Sequence, residues 1–269
     1  MILSRSAEGL TVVRQPDHGR QTGAFAAAWG SDEVPADDTR TDSVRLAATH
    51  HDDGWGTWEL YPTLDPATGQ PVQFLELTPF EHVPLYRAAI ERMAAVDPFA
   101  GLLVSMHGAG LYNARYGTFQ LIQLDLSDEE RAIVDELLAD MAALQVALAA
   151  RSGASTPHGH PSEDPAIRAT YLRLQVWDRL SLQYCYFASA DGAIGPLPLG
   201  AGATGQLRCH NAGRHTLALD PWPFQERRHV FAVPSVTVAD RPYPTPDAFL
   251  EAVLSAPIRT LECTAVPLR

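Results

Sequence analysis

Residues 41–58 read TDSVRLAATHHDDGWGTW, an apolar helical pattern that ends in a run of histidine and aspartate. Val44, Ala47, Ala48 and His51 recur at the i, i+3, i+4, i+7 spacing of one helical face. A helix in that register turns His51 toward a core, where a polar group without a partner is costly. Asp52 follows about 100° further round, so a helix end can present the two side chains to two neighbouring points. His50 is the alternative register, and Asp38 is placed to cap the start of the helix.

The same pattern repeats outward from this stretch. Pro16 and Asp17 open an Ala-rich helix that carries His18 and stops at Gly30. Residues 54–78, rich in Gly, Pro and aromatics, read as a long loop in which Trp55, Trp58 and Tyr61 favour order. Thr78-Pro79-Phe80-Glu81 is a capping box opening a helix that places His82 with Leu85, Ala89 and Met93, with Pro84 as a candidate kink. Leu103, Val104, His107 and Leu111 share a face in the next helix. Ser127 and Glu130 form another capping box, and Asp164-Pro165 starts a helix on which Tyr171, Leu174 and Asp178 align. After about Ala188 short β-rich runs (HTLALD, HVFAVPSVTVA, RTLECTAVPL) alternate with turn residues, with one short helix at 249–254.

The 269 residues suffice for one full core, and no apolar run reaches the roughly 20 residues a membrane span needs. The opening MILSRSAEGLTVVRQ lacks the features of a secretory signal, so a cytoplasmic setting is expected. A formal charge of -12 opposes nucleic-acid binding, and without any lysine there is no Schiff-base chemistry. Cys185, Cys209 and Cys263 form no CxxC pair and are read as reduced, buried thiols. A small molecule is the expected partner; a homo-oligomer is compatible with this composition.

Three core-facing histidines besides His18, and one core-facing aspartate, stand where apolar residues belong. Imidazole and carboxylate together suit Fe, Mn, Zn or Co, and His18, His51, Asp52, His82, His107 and Asp178 are enough to hold two ions around a water. If His82 and His107 were only carbonyl-bonded core histidines, one ion would remain. His158 and His160 lie in a Gly/Pro loop and read as solvated, and His210, His215 and His229 as structural or surface residues.

These residues resemble the signature of HD-domain metalloenzymes: a His in DHGRQTG (His18), an adjacent pair in AATHHDDGW (His51, Asp52) and a distant Asp in LQVWDRLS (Asp178). The chain is similar in particular to a bacterial family carrying an HDDGW motif. The resemblance covers about residues 15–187. It implies a mainly α fold, an HD-type helical bundle (1–187) with a small C-terminal β-rich extension (188–269). It implies a metal-dependent phosphohydrolase, with Asp52 beside the metals and Arg115 or Arg179 neutralising substrate charge; Asp53 reads either as a residue that supports the ligands or as a turn residue. Trp55 stands where many HD phosphohydrolases carry Lys. Members that add two histidines between the pair and the last Asp include di-iron oxygenases, which is the second expectation; a non-catalytic, metal-stabilised binding protein is the third.

Overall fold

A computed structural model describes residues 1–36, 39–118, 126–154, 156–157 and 159–268. It begins with strands β1 (Ile2–Ser6) and β2 (Gly9–Val13), an antiparallel hairpin. Among the described residues the helices α1 (Gln15–Ala28), α2 (Thr41–His50), α3 (Trp55–Trp58), α4 (Pro79–Val96), α5 (Pro98–Gly110), α6 (Ala114–Gly117), α7 (Asp128–Arg151) and α8 (Pro165–Cys185) follow. The chain then forms β3 (Gly192–Gly200), β4 (Ala203–Gly213), β5 (Thr216–Asp220) and β6 (His229–Val238), helix α9 (Pro246–Ser255) and β7 (Arg259–Pro267).

The expected mainly α bundle with a small appended sheet is corrected by this topology. All seven strands form one curled mixed sheet in the order β1-β2-β6-β7-β5-β4-β3, and the chain is about 48% helix and 23% strand. Every pairing is antiparallel except β5 with β7. The N-terminal hairpin shows why it belongs to the sheet. Ile2 and Val13 point into the main core, whereas Leu3, Leu10 and Val12 join Val238, Phe249 and Val253 beneath α9. That alternation is the period of a strand buried on both faces. The sheet is thus wedged between the helices and α9, and Phe25 of α1 meets Phe231 of β6 at a ring separation of 4.5 Å.

Local signals set the helices. The capping boxes at Thr78/Glu81 and Ser127/Glu130 are formed, and Asp164 caps α8 through the backbone N–H groups of Ala166 and Ile167. Helix α4 runs through Pro84, which is exposed and leaves one carbonyl to solvent. The proposed capping residue Asp38 lies outside the described residues, and Arg40, at φ 55°, occupies the N-cap of α2. Helix α5 is buried on all sides rather than along one stripe, packed against α2, α4, α7 and α8. No helix among the described residues is long and apolar enough to cross a membrane.

Two glycines let the helices approach where the site forms. A Cβ on Gly19 would meet the Thr49 carbonyl oxygen at 2.6 Å, so only glycine lets α1 lie on the end of α2. One on Gly54 would run into the Leu85 carbonyl oxygen of α4. His18 and the His51–Asp52 corner are thereby drawn together.

Candidate metal centre

Five polar side chains from four places in the chain meet in the helical core: His18 from the first turn of α1, His51 and Asp52 from the end of α2, His107 from α5 and Asp178 from α8. All are at most 5% exposed. His18, His51 and Asp178 offer ligand atoms within 4.8 Å of one another, as do His51, Asp52 and His107.

The three imidazoles are oriented alike. His18 Nδ1 lies 2.7 Å from Ser181 Oγ, and that hydroxyl donates to Gln21 Oε1 at 2.6 Å, so it accepts from His18 Nδ1–H. His51 Nδ1 donates to the Ala48 carbonyl at 2.9 Å. His107 Nδ1 is 3.2 Å from Gln175 Nε2, while Gln175 Oε1 has no hydrogen-bond partner. Half a turn of that amide would let Oε1 accept from Nδ1–H. Each Nε2 then faces the carboxylates, as in sites where an outer group fixes a ligating imidazole.

Among the inward atoms one contact is a hydrogen bond, His18 with Asp178, and the other His–Asp distances are longer than hydrogen bonds. His18 Nε2 is 3.1 Å from Asp178 Oδ1 and 3.8 Å from Asp52 Oδ2. His51 Nε2 is 3.5 Å from Asp52 Oδ2 and 3.7 Å from Asp178 Oδ1, and it is buried with no hydrogen-bond partner. Donors sharing one ion at ~2.1 Å lie ~3.0 Å apart in an octahedron and ~3.4 Å apart in a tetrahedron. The group could therefore hold a metal ion. Asp52 divides its oxygens: Oδ2 faces His18 and His51, while Oδ1 is 3.5 Å from His107 Nε2 and accepts from the Tyr86 hydroxyl at 2.9 Å.

Burial opposes charging His51, but the negative charges of Asp52 and Asp178 outweigh it and lift His51 to about 9. Burial likewise works against the Asp52 and Asp178 carboxylates, yet the surrounding imidazoles hold both below the usual range. His107 is lowered, chiefly by burial.

The other candidates are placed differently. His82 is in neither metal-compatible group; its Nδ1 pairs with Tyr112 Oη at 2.7 Å, its ring packs on Trp55 and Tyr86, and burial lowers it to about 4. Asp53 turns outward to His50 at 2.7 Å. Arg115 sits in a left-handed run, Ala114 to Gly117, and its Nη1 is 3.9 Å from Asp178 Oδ2. Arg179 donates to the Gly195 carbonyl of β3 and does not line the cavity described next. His158 lies outside the described residues; His160 Nδ1 pairs with Ser162 at the start of a short turn.

A cavity of about 620 Å³ opens on the cluster, within the size of small-molecule sites. His18, Asp52, His82, His107, Arg115 and Asp178 line it together with the 74–79 segment, Leu111 and Leu182. Sequence reasoning missed Tyr86, Gln175 and Ser181. Their signal is helical spacing: Gln175 and Ser181 flank Asp178 by one turn, and Tyr86 follows His82 by four residues.

Residues 1–240 match the family described as "Protein of unknown function (DUF3891)", and the chain belongs to that family. The match ends before α9 and β7, although β7 lies inside the sheet between β6 and β5. Neither a curated protein nor a solved structure matches the chain.

Proposed function

We propose that this member of the family is a metal-dependent hydrolase acting on a small phosphate ester. The observation that carries the reading is the convergence of three Nδ1-anchored histidines, through Nε2, on two buried carboxylates at the floor of a cavity. His18, His51, Asp52 and Asp178 would hold one ion; Asp52 Oδ1 with His107, and His82 beyond it, would serve a second. The order of these residues along the chain resembles that of HD-domain enzymes. Bound there, Mn, Zn, Co or Fe supplies an acidified water and polarises a phosphoryl oxygen.

The chain's own residues do the rest. Arg115, beside Asp178, neutralises charge on the substrate's anionic group. The Tyr86 hydroxyl, itself accepting from Trp55 Nε1 at 3.2 Å, fixes the Asp52 carboxylate. Trp55 and Tyr86, both nearly fully buried, keep bulk water from that side.

One observation favours a second reading, an iron-dependent oxygenase on the same residues. Trp55 stands in the place of the phosphohydrolase lysine, lines the cavity and donates to Tyr86, so no lysine is there to meet a phosphate. Purification under nitrogen, metal quantification and assay of phosphate release with each metal tests both. Release that needs Mn, Zn or Co supports the hydrolase. A mixed-valent iron signal that changes with oxygen, without phosphate release, supports the oxygenase. Sub-stoichiometric metal that His51→Ala leaves unchanged would sink both.

A further inference from the structure

The cavity is inverted relative to ordinary protein surface. Its floor is polar and buried, with His18 at 1%, His107 at 2% and Asp178 at 4% exposure, whereas its rim is apolar and open: Leu75 is 63% exposed and Phe80, next to the lining residue Pro79, is 50% exposed. Phe74 continues the rim inward, its ring 5.8 Å from that of Tyr186. Leu111 and Leu182 line the cavity one helical turn beyond His107 and Asp178. Clustered exposed apolar side chains around a cleft mark a surface that another apolar group covers. A phosphorylated sugar or a free nucleotide would leave this rim wet.

The charges specify the other end of the ligand. Among the described lining residues Arg115 is the single cationic side chain, against Asp52, Asp178, Glu76 and Glu130. Glu76 and Glu130 are engaged in capping the backbone N–H groups of Gln73 and Ser127. The remaining two carboxylates belong to the metal-compatible cluster, so an anionic head is favoured at the floor once cations are bound there.

We propose that the cavity takes an amphipathic anion, with one phosphate-type head beside Arg115 and the His/Asp cluster and an alkyl tail along Phe74, Leu75, Leu77, Leu111 and Leu182. The assignment deepens the hydrolase reading and rests on it only for the reaction at the head group.

Binding of methyl-, butyl- and octylphosphonate to the Mn-loaded full chain, read by calorimetry under nitrogen, tests it; their C–P bond resists hydrolysis. Affinity should rise by up to ~4-fold per methylene, so octyl should exceed butyl by on the order of 100-fold. Leu75→Ser, at an exposed position that the fold does not need, should flatten that slope, and Arg115→Gln should weaken all three ligands without changing it. Equal affinity for methyl and octyl, a slope unaffected by Leu75→Ser, or octylamine binding as tightly as octylphosphonate would each overturn the proposal. Octanoate compared with octylphosphonate separates a carboxylate from a phosphate head, and tighter binding of octanoate would overturn the phosphate assignment. Graded binding with no phosphate release from octyl phosphate keeps this inference and removes the hydrolase. Release from methyl phosphate as fast as from octyl phosphate does the reverse.

Discussion

Within residues 50–53 the chain spells two His–Asp pairs, His50 with Asp53 and His51 with Asp52, and folding sends them in opposite directions. The outer pair closes on itself at 2.7 Å with side chains 37% and 40% exposed. The inner pair is buried at 0% and 5%, does not close, and keeps 3.5 Å between His51 Nε2 and Asp52 Oδ2. Both use the same chemistry. An exposed pair saturates its own hydrogen bonds, while the buried pair, held apart by Ala48 on one side and Tyr86 on the other, leaves His51 Nε2 without a hydrogen-bond partner. Residue type therefore says less here than the direction in which the helix end turns each side chain.

The comparison can be broken most severely at the inner pair. His51→Ala should reduce metal content and turnover to background, a loss beyond the ~100-fold range of supporting residues, as read by metal analysis of purified protein. The next largest effect is expected from pH. His51 is lifted to about 9 in the metal-free protein, so below that value an incoming ion must displace a proton. Apparent metal affinity should thus fall on acidification by up to ~10-fold per pH unit, and gain nothing from His51 above about 9. Affinity that is flat between neutral and mildly acid pH would contradict a site built on His51.

Ser181→Ala removes the acceptor that fixes His18, and should weaken metal binding by ~10–100-fold while leaving the fold intact. Restoration by Ser181→Thr would show that the hydroxyl matters rather than the packing. The smallest effect sharpens the comparison from the other side. His50→Ala or Asp53→Asn should leave metal content unchanged and shift stability by no more than about 0.5 kcal/mol in thermal or denaturant unfolding.

Much of this was legible where the interactions are local. Thr78 with Glu81, Ser127 with Glu130 and Asp164 with Pro165 fix helix starts within four residues, and those helices stand as read. His51, His107 and Asp178 could be picked out because a polar residue on an apolar helical face is visible in the pattern itself, whereas His18 was picked out by the order of the motif. The sheet was not legible in the same way. Leu10 pairs with Val238, a partner more than two hundred residues away, and β3 and β4 are written in glycines and prolines that read as turns. Strand pairing is specified by distant neighbours and burial rather than by the strand's own composition. Ser181 and Gln175 escaped for a related reason: nothing in either residue says which imidazole it will meet. Asp53 shows the converse, since adjacency to the motif suggested a place at the centre and the helix end turned it to the surface.

The pairing of β2 with β6 has a consequence for how the molecule is made. During synthesis the hairpin of residues 2–13 emerges long before the strand that covers its open edge, since α1 to α8 and β3 to β5 lie between β2 and β6 in the chain. For that interval the nascent chain carries an unpaired, largely apolar strand edge, the kind of surface that recruits chaperones or other edges. Ribosome-bound chains halted before residue 229 should accordingly hold α1 to α8 assembled while β2 remains open to protease, and closure of the fold should wait on residues from 229 onward.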